Sequence, residues 1–201
     1  MSSHTKKSQT DTRTRILEAT WRLLEKRRGQ GVRMSDIAKA TGVSRQAVYL
    51  HFATRSELMI ATTKYVDEIK GLEERLKIFQ AAQTGPELLD AVVEFWGNYI
   101  PEIYGIAKAM LSALDSDEAM AAAWSNCMGE LQGACQHAVD ALAHEKRLAT
   151  EWSQKDAVDM FMTTLSIHNW EQLTMERGWS SAQYVAGMKT LLRRCFIKSE
   201  G

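Results

Sequence analysis

Apolar residues recur every three or four positions along most of the chain, a spacing that predicts amphipathic helices. The first stripe, which includes Ile16, Ala19 and Leu23, predicts a helix over about 11–28. Glycines and polar caps divide the remainder into further helices, and no segment alternates like a convincing strand. The pattern therefore predicts an all-α fold of about nine helices.

Capping residues indicate where the N-terminal helices begin. Ser35 and Ser44 are expected to cap two short helices separated by Gly42. Thr54, with a glutamate three residues later, forms a capping box for a long helix that should continue to about Thr84.

Similar signals divide the second half of the chain. Thr84 and Glu87 form another capping box, and Pro101 is expected to break the helix that follows it. Two long helices, over about 154–176 and 181–197, are expected to end the chain.

Charge is unevenly distributed although the formal net charge is zero. Residues 1–60 hold 12 Lys and Arg against 5 Asp and Glu, whereas residues 61–201 hold 13 against 20. A basic N-terminal part and an acidic body indicate a polyanionic partner for the N-terminal part alone. Residues 1–10 are expected to form a flexible basic arm.

The cysteines and the N-terminus both indicate a cytoplasmic protein. Cys127 and Cys135 would lie about 12 Å apart on one helix, too far for a disulfide. Together with Cys195 they are expected to be free, mostly buried thiols in a reducing compartment. The chain has neither an apolar signal core near Met1 nor an apolar run that could span a membrane.

The segment 35–52 predicts a helix-turn-helix, in which Gly42 supplies the left-handed conformation of a tight turn. Arg45, Gln46 and Tyr49 share one face of the second helix. In a DNA major groove, Arg can bond guanine and Gln can bond adenine, while Tyr can contact a phosphate or a thymine methyl. The alternative is an ordinary helical hairpin whose polar side chains are solvated.

Residues around this face are expected to hold the DNA backbone. Ser44, His51 and Arg55 lie where one phosphate strand should pass. Arg33 and Ser35 flank the start of the supporting helix, where the other strand should pass.

Three motifs closely resemble the signature of TetR-family regulators: Gly-Val-Ser at 42–44, Tyr-Leu-His-Phe at 49–52 and Thr-Arg-Ser-Glu-Leu at 54–58. The resemblance covers about residues 10–60. It implies a DNA-binding domain at 11–56.

The resemblance also implies an effector-binding and dimerisation domain at 57–201. Two positions depart from the family pattern. Arg55 replaces the usual Lys, which keeps the charge but changes the donor geometry. Met34 stands where a small hydroxyl residue is common, which puts one backbone contact in doubt.

TetR-like proteins form homodimers through their last two long helices, which implies an interface over 154–176 and 181–197. The alternative is that the apolar stripes of these helices pack inside one monomer.

The family further implies a pocket for a small hydrophobic or aromatic effector in the helical body. His168, which falls in an apolar stripe, Asn126 and Asn169 are its candidate polar anchors. The other candidate lining residues are Trp96, Tyr99, Tyr104, Met110, Trp124, Cys127, Met128, Phe161, Met162 and Leu165. The alternative for each of these residues is ordinary core packing.

No cofactor is expected. A metal-sensing alternative rests on His137, Asp140, His144 and Glu145, which fall on adjacent turns of one helix. Such groups are more often solvated helix surface, so the prediction names no metal site.

The sequence thus favours a DNA-binding regulator, most simply a repressor that a ligand releases from a palindromic operator. An activator, or a regulator controlled by a protein partner, is the alternative. An enzyme is disfavoured because no nucleophile, metal or phosphate-loop motif is present. A non-specific architectural DNA binder is disfavoured by the neutral net charge.

Overall fold

The structure, a computed structural model, describes residues 2–28 and 31–198, with side chains from residue 11 onward. This part of the chain is helical, with one isolated antiparallel bridge between Leu148 and Ile197. The predicted all-α fold class is confirmed. None of the described helices has both the length and the apolar character needed to cross a membrane.

The α-helices of the described residues are α1 (Ser2–Lys26), α2 (Met34–Thr41), α3 (Arg45–His51), α4 (Arg55–Ile69), α5 (Leu72–Arg75), α6 (Ile78–Ala81), α7 (Gly85–Leu111), α8 (Glu118–His144), α9 (Gln154–Thr164), α10 (Ile167–Glu171) and α11 (Ser181–Phe196). A π-helical segment, Gln172–Glu176, follows α10. Helix α1 thus begins at Ser2, earlier than the start predicted at about residue 11. The side chains of the predicted basic arm, residues 1–10, lie outside the described part of the chain, and its flexibility stays a prediction.

Most of the predicted helix starts are confirmed by their capping geometry. A side-chain oxygen accepts a hydrogen bond from the backbone N–H three residues later, and so pairs one of the N–H groups that a helix start leaves unsatisfied. These caps are formed by Ser44, Thr54, Thr84, Ser153 and Ser180.

The predicted break at Pro101 is wrong, because α7 continues through this residue to Leu111. A proline inside a helix removes one backbone hydrogen bond and crowds the carbonyl four residues earlier. Apolar residues on either side of it, such as Ile100 and Ile106, are buried. Their burial favours the helix on both sides and outweighs the local cost.

Two other predicted helices are shorter than expected. Helix α4 ends at Ile69 because Gly71 adopts a left-handed conformation, with φ +69°, instead of running on to Thr84. The helix predicted over 154–176 is interrupted after Thr164, where Ser166 caps a new helix by accepting from the Asn169 N–H at 3.3 Å.

The chain forms two compact units, each discontinuous in sequence. Unit 1 consists of Met1–Gly71 and Ile103–Cys127, and unit 2 of Leu72–Glu102 and Met128–Gly201. The segment predicted to bind DNA, 11–56, therefore lies entirely in unit 1. The functional boundary predicted between residues 56 and 57 stays a prediction.

Each unit has its own core of buried apolar side chains. In unit 1, α1 to α4 contribute Ile16, Ile37, Val48, Phe52 and Leu58, and the second stretch contributes Ile106, Met110 and Met120. In unit 2, Leu89, Phe161, Tyr184 and Phe196 are among the most buried residues. The helix-turn-helix is thus supported by two separate stretches of the chain.

Candidate nucleic-acid interface

The turn between α2 and α3 has the geometry predicted from its sequence. Gly42 is left-handed, with φ +70°, and its N–H donates to the Lys39 carbonyl at 3.3 Å. The Val43 N–H donates to the Ala38 carbonyl at 3.1 Å, which closes the end of α2. The Ser44 Oγ then accepts from the Ala47 N–H at 3.0 Å and starts α3.

Helix α3 is buried on one side only. Val48 is fully buried, whereas Arg45, Gln46 and Tyr49 are exposed. The Arg45 guanidinium lies 5.6 Å from the centre of the Tyr49 ring, so these two side chains contact each other on the surface. The structure therefore brings together the three side chains predicted to read bases.

Leu50, beside these residues, is also exposed, with 82% of its surface open to solvent. The sequence prediction did not include it. The signal was present, because a residue two positions after the buried Val48 must point away from the core of unit 1.

The start of α2 differs from the prediction. Arg33, not Ser35, is its capping residue, and Ser35 lies exposed in the first turn. The carboxylate of Asp36 accepts from the Arg33 N–H at 3.1 Å and from the Arg27 Nη1 at 2.8 Å. The hydrogen bond from the Arg33 N–H is the largest cause of the lowered pKa of Asp36, and the hydrogen bond from the Arg27 guanidinium is the second largest. Met34 is buried here, where an apolar side chain adds to the core.

Two of the predicted backbone contacts are at the end of α3 and the start of α4. His51 is half-buried in the last turn of α3. The Arg55 guanidinium forms an ion pair with Asp117 and donates from Nη2 to the Val32 carbonyl at 2.9 Å. Arg55 therefore has partners within unit 1, and its phosphate contact stays a prediction.

Asp117 is a residue that the sequence prediction missed. Its Oδ1 also accepts from the N–H groups of Ala119 at 3.1 Å and Met120 at 3.3 Å, at the start of α8. An Asp just before a helix start is a recognised capping signal. Its pairing with Arg55, 62 positions earlier, has no local signal in the sequence.

An open cleft of about 660 Å³ lies in unit 1 beside this ion pair. Its lining includes Arg33, Arg45 and Tyr49 from the predicted DNA-binding set, together with Arg55 and Asp117. Five of the eight predicted DNA-contacting residues, including Ser35, thus line one cleft.

The residues predicted to line an effector pocket divide between the two units. Unit 1 contains Tyr104, Met110, Trp124 and Cys127. Unit 2 contains Trp96, Tyr99, Met128, Phe161, Met162, Leu165, His168 and Asn169. Within unit 2, the Trp96 Nε1 donates to the buried Leu165 carbonyl at 2.7 Å. The pocket itself stays a prediction.

The prediction that His168 lies in an apolar stripe is wrong. Its side chain is 73% exposed, and its ring lies near Glu171 and Gln172. The cause is the interruption at Ser166, which changes the helical register after α9.

The other two candidate polar anchors are partly buried. The Asn169 Nδ2 donates to the carbonyls of Thr163 at 3.0 Å and Thr164 at 3.2 Å, and so pairs the last carbonyls of α9. Asn126 is half-buried in unit 1. The one fully buried hydroxyl without a hydrogen-bond partner among the described residues belongs to Tyr184, in unit 2.

The described residues contain no group of three or more His, Cys, Asp or Glu placed to hold a metal ion. In the helix considered for metal sensing, Asp140 instead accepts hydrogen bonds from the amides of Gln136 at 2.7 Å and Gln154 at 2.8 Å.

Comparison with known proteins identifies the part of the chain that carries this interface. Residues 16–62 match the family described as "Bacterial regulatory proteins, tetR family". They include the whole of α2 and α3, the turn between them and the first half of α4.

A curated relative extends the similarity beyond this segment. The HTH-type transcriptional regulator CymR of Pseudomonas putida is 28% identical over 116 residues, which cover 55% of this chain and 54% of the relative. The matched segment thus spans about half the length of that protein.

Solved structures share the fold over nearly the whole chain. A transcriptional regulator from Saccharomonospora viridis in complex with choline matches with a TM-score of 0.72 and 14% identity, over 94% of this chain and 100% of that one. The regulator FadR from Bacillus subtilis in complex with stearoyl-CoA matches with a TM-score of 0.70 and 15% identity, over 90% and 97%.

Proposed function

We propose that this chain is a sequence-specific DNA-binding transcription regulator of the TetR family, since residues 16–62 match that family and a curated HTH-type regulator is 28% identical over 116 residues. The observation that supports this most directly is the exposed face of α3, where Arg45, Gln46 and Tyr49 lie together beyond a left-handed glycine turn. A helix presented in this way fits the major groove, where its side chains reach base edges.

The residues of this face have different proposed roles. Arg45 bonds a guanine and Gln46 an adenine, each through two hydrogen bonds. Tyr49 contacts a phosphate or a thymine methyl. The Ser44 hydroxyl accepts from the Ala47 N–H and retains its own proton for a phosphate oxygen.

The DNA backbone is held by the basic side chains around this face. Arg33 is exposed, and His51 is half-buried at the end of α3. Arg55 can reach a phosphate only by sharing or exchanging its partner Asp117. The excess of Lys and Arg over residues 1–60 supports this assignment, because phosphate contacts dominate the affinity of proteins for DNA.

We further propose a homodimer that forms through 154–176 and 181–197. Four of the exposed large apolar residues of unit 2, Met160, Met175, Trp179 and Leu191, lie within or between these segments. Exposed large apolar side chains are the material from which oligomer interfaces are formed. A dimer also provides the two recognition helices that a palindromic operator needs.

The proposed regulator is a repressor that a small hydrophobic or aromatic effector releases from its operator. The buried aromatic residues of unit 2, including Trp96, Tyr99 and Phe161, supply suitable lining. Two structural relatives were solved in complex with choline and with stearoyl-CoA, so proteins of this fold bind chemically different ligands.

The test is a selection of bound sequences from random double-stranded DNA by the purified protein. We expect one palindromic sequence to be enriched. Arg45→Ala and Tyr49→Ala should each lower the affinity for that sequence by about tenfold or more, while the oligomeric state is unchanged. Lys77→Ala is the matched control, because Lys77 is an exposed cation in unit 2 that lies outside the proposed dimer segments and has Glu74 as its partner.

Two results contradict the proposal. If no sequence is enriched, the protein does not read DNA by sequence. If both α3 variants bind the selected sequence as tightly as Lys77→Ala does, the assignment of the reading face is wrong.

A further inference from the structure

Leu50 is the most exposed large apolar residue among the described side chains. Its side chain is 82% exposed, whereas the other large apolar residues on the surface are between 36% and 55% exposed. It lies in α3, a helix of seven residues that is otherwise mostly polar on its outer side.

The helix geometry places Leu50 at the centre of the outer face. Successive residues of an α-helix are about 100° apart around the axis. Gln46 comes two residues before the fully buried Val48 and Leu50 two residues after it, so each is turned by about 200° from Val48. Both therefore lie almost opposite the buried side of α3. Tyr49 lies at about 100°, on the flank. Gln46 and Leu50, four residues apart, therefore form the outermost ridge of α3.

Leu50 contributes nothing to the core of unit 1. The core side of α3 is occupied by Val48, and the capping residue Phe52 is also fully buried. The Leu50 side chain therefore adds little to the stability of unit 1, and its position favours a role in binding.

The floor of the DNA major groove carries one kind of apolar group, the 5-methyl group of thymine. Leu50 is one helical turn, about 6 Å, beyond Gln46. Base pairs are stacked about 3.4 Å apart, so Leu50 faces a base pair one or two steps from the one that Gln46 contacts.

We propose that Leu50 determines part of the operator specificity by contacting the 5-methyl group of a thymine in each half-site. This rests on the proposed function, since it requires α3 to lie in the major groove. The proposed reading face then contains four residues. Arg45, Gln46 and Tyr49 are polar, and Leu50 adds an apolar contact.

The test replaces thymine by deoxyuridine, which keeps the base-pairing groups and lacks the methyl. In the sequence enriched by selection, each thymine position is replaced in turn, together with its symmetry mate. At one position we expect the wild-type protein to bind about 15-fold more weakly, since two symmetry-related methyls are lost and each buried methyl contributes a factor of about four.

The variant that isolates Leu50 is Leu50→Ala. It should bind the thymine and deoxyuridine forms of that position equally, with the affinity that the wild type has for the deoxyuridine form. Leu76→Ala is the matched control, because Leu76 is an exposed Leu in unit 2. It should retain the full difference between the two DNAs.

The outcomes separate this proposal from the proposed function. If the wild type binds an enriched sequence but is insensitive to deoxyuridine at every position, the role of Leu50 is wrong and DNA reading stands. The same holds if Leu50→Ala keeps the full difference, because another residue then contacts the methyl. If no sequence is enriched, both proposals fall.

Discussion

Tyr184 is fully buried in unit 2, yet its hydroxyl has no hydrogen-bond partner among the described residues. Its ring lies against α7, where a Cβ on Gly97 would come within 3.1 Å of the Tyr184 Cδ1. Burial raises the pKa of Tyr184, so the hydroxyl keeps its proton at any physiological pH. The packing of the ring therefore accounts for a tyrosine at this position, whereas the buried hydroxyl without a partner lowers the stability of the fold.

We expect Tyr184→Phe to raise the free energy of unfolding by about 1 kcal/mol, because the variant keeps the ring and removes an unpaired buried hydroxyl. Urea denaturation followed by circular dichroism measures the change. Tyr65→Phe is the control, since Tyr65 is a half-buried tyrosine in unit 1. A loss of more than 1 kcal/mol in Tyr184→Phe would show that the hydroxyl has a stabilising partner after all.

At the scale of helices, the sequence predicted beginnings better than ends. A capping side chain and the N–H that it pairs are three residues apart, so Thr54 or Ser180 can be recognised from a short window. The continuation of α7 through Pro101 depends on burial by residues far along the chain, which a local window does not contain.

The same limit applies to the candidate interface. Arg45, Gln46 and Tyr49 could be placed on one face because helical spacing alone decides it. The partner of Arg55 is Asp117, and only the folded chain of unit 1 brings the two together. The register change at Ser166, which places His168 on the surface, was signalled only by a serine inside an apparently continuous stripe.

The ion pair between Arg55 and Asp117 connects the start of α4 to the start of α8 within unit 1. Their side chains are only 24% and 20% exposed, so solvent screens them less than a surface pair. In a double-mutant cycle with Arg55→Gln and Asp117→Asn, we expect a coupling energy of about 1 kcal/mol or more. The Asn variant keeps a side-chain oxygen for the N–H groups at the start of α8.

The matched control for this cycle is the pair Lys77 and Glu74, whose side chains are 59% and 76% exposed and lie outside the proposed dimer segments. Its coupling energy should be a few tenths of a kcal/mol at most. Thermal or urea unfolding of the four variants of each pair gives both values. Equal coupling in the two cycles would mean that Arg55 and Asp117 interact no more strongly than a solvated pair.

At the scale of the whole molecule, the proposed dimer is tested by charging its apolar surface. Leu191→Asp should shift the protein to monomers, because α11 lies in the proposed interface and a buried unpaired carboxylate is unfavourable there. Analytical ultracentrifugation at micromolar concentration measures the change. Leu76→Asp is the matched control, since Leu76 is 41% exposed and Leu191 46% exposed, and both belong to unit 2.

The interface assignment would be wrong if Leu191→Asp remained dimeric, or if the control dissociated equally. Loss of the dimer should also weaken operator binding strongly, because a single recognition helix contacts only one half-site. Leu191→Asp should therefore change both the sedimentation and the DNA affinity, whereas Leu76→Asp should change neither.

The division of unit 1 into two stretches has a consequence for protein engineering. A fragment that ends at Gly71 lacks Ile106, Met110 and Met120, which complete the buried core around α1 to α4. Such a fragment would expose apolar surface and lose the packing that holds α3 in place. A chimaera that joins the proposed DNA-reading part to the body of another protein must therefore transplant residues 103–127 as well. The junctions then fall inside α7 and α8 and have to preserve helical phase.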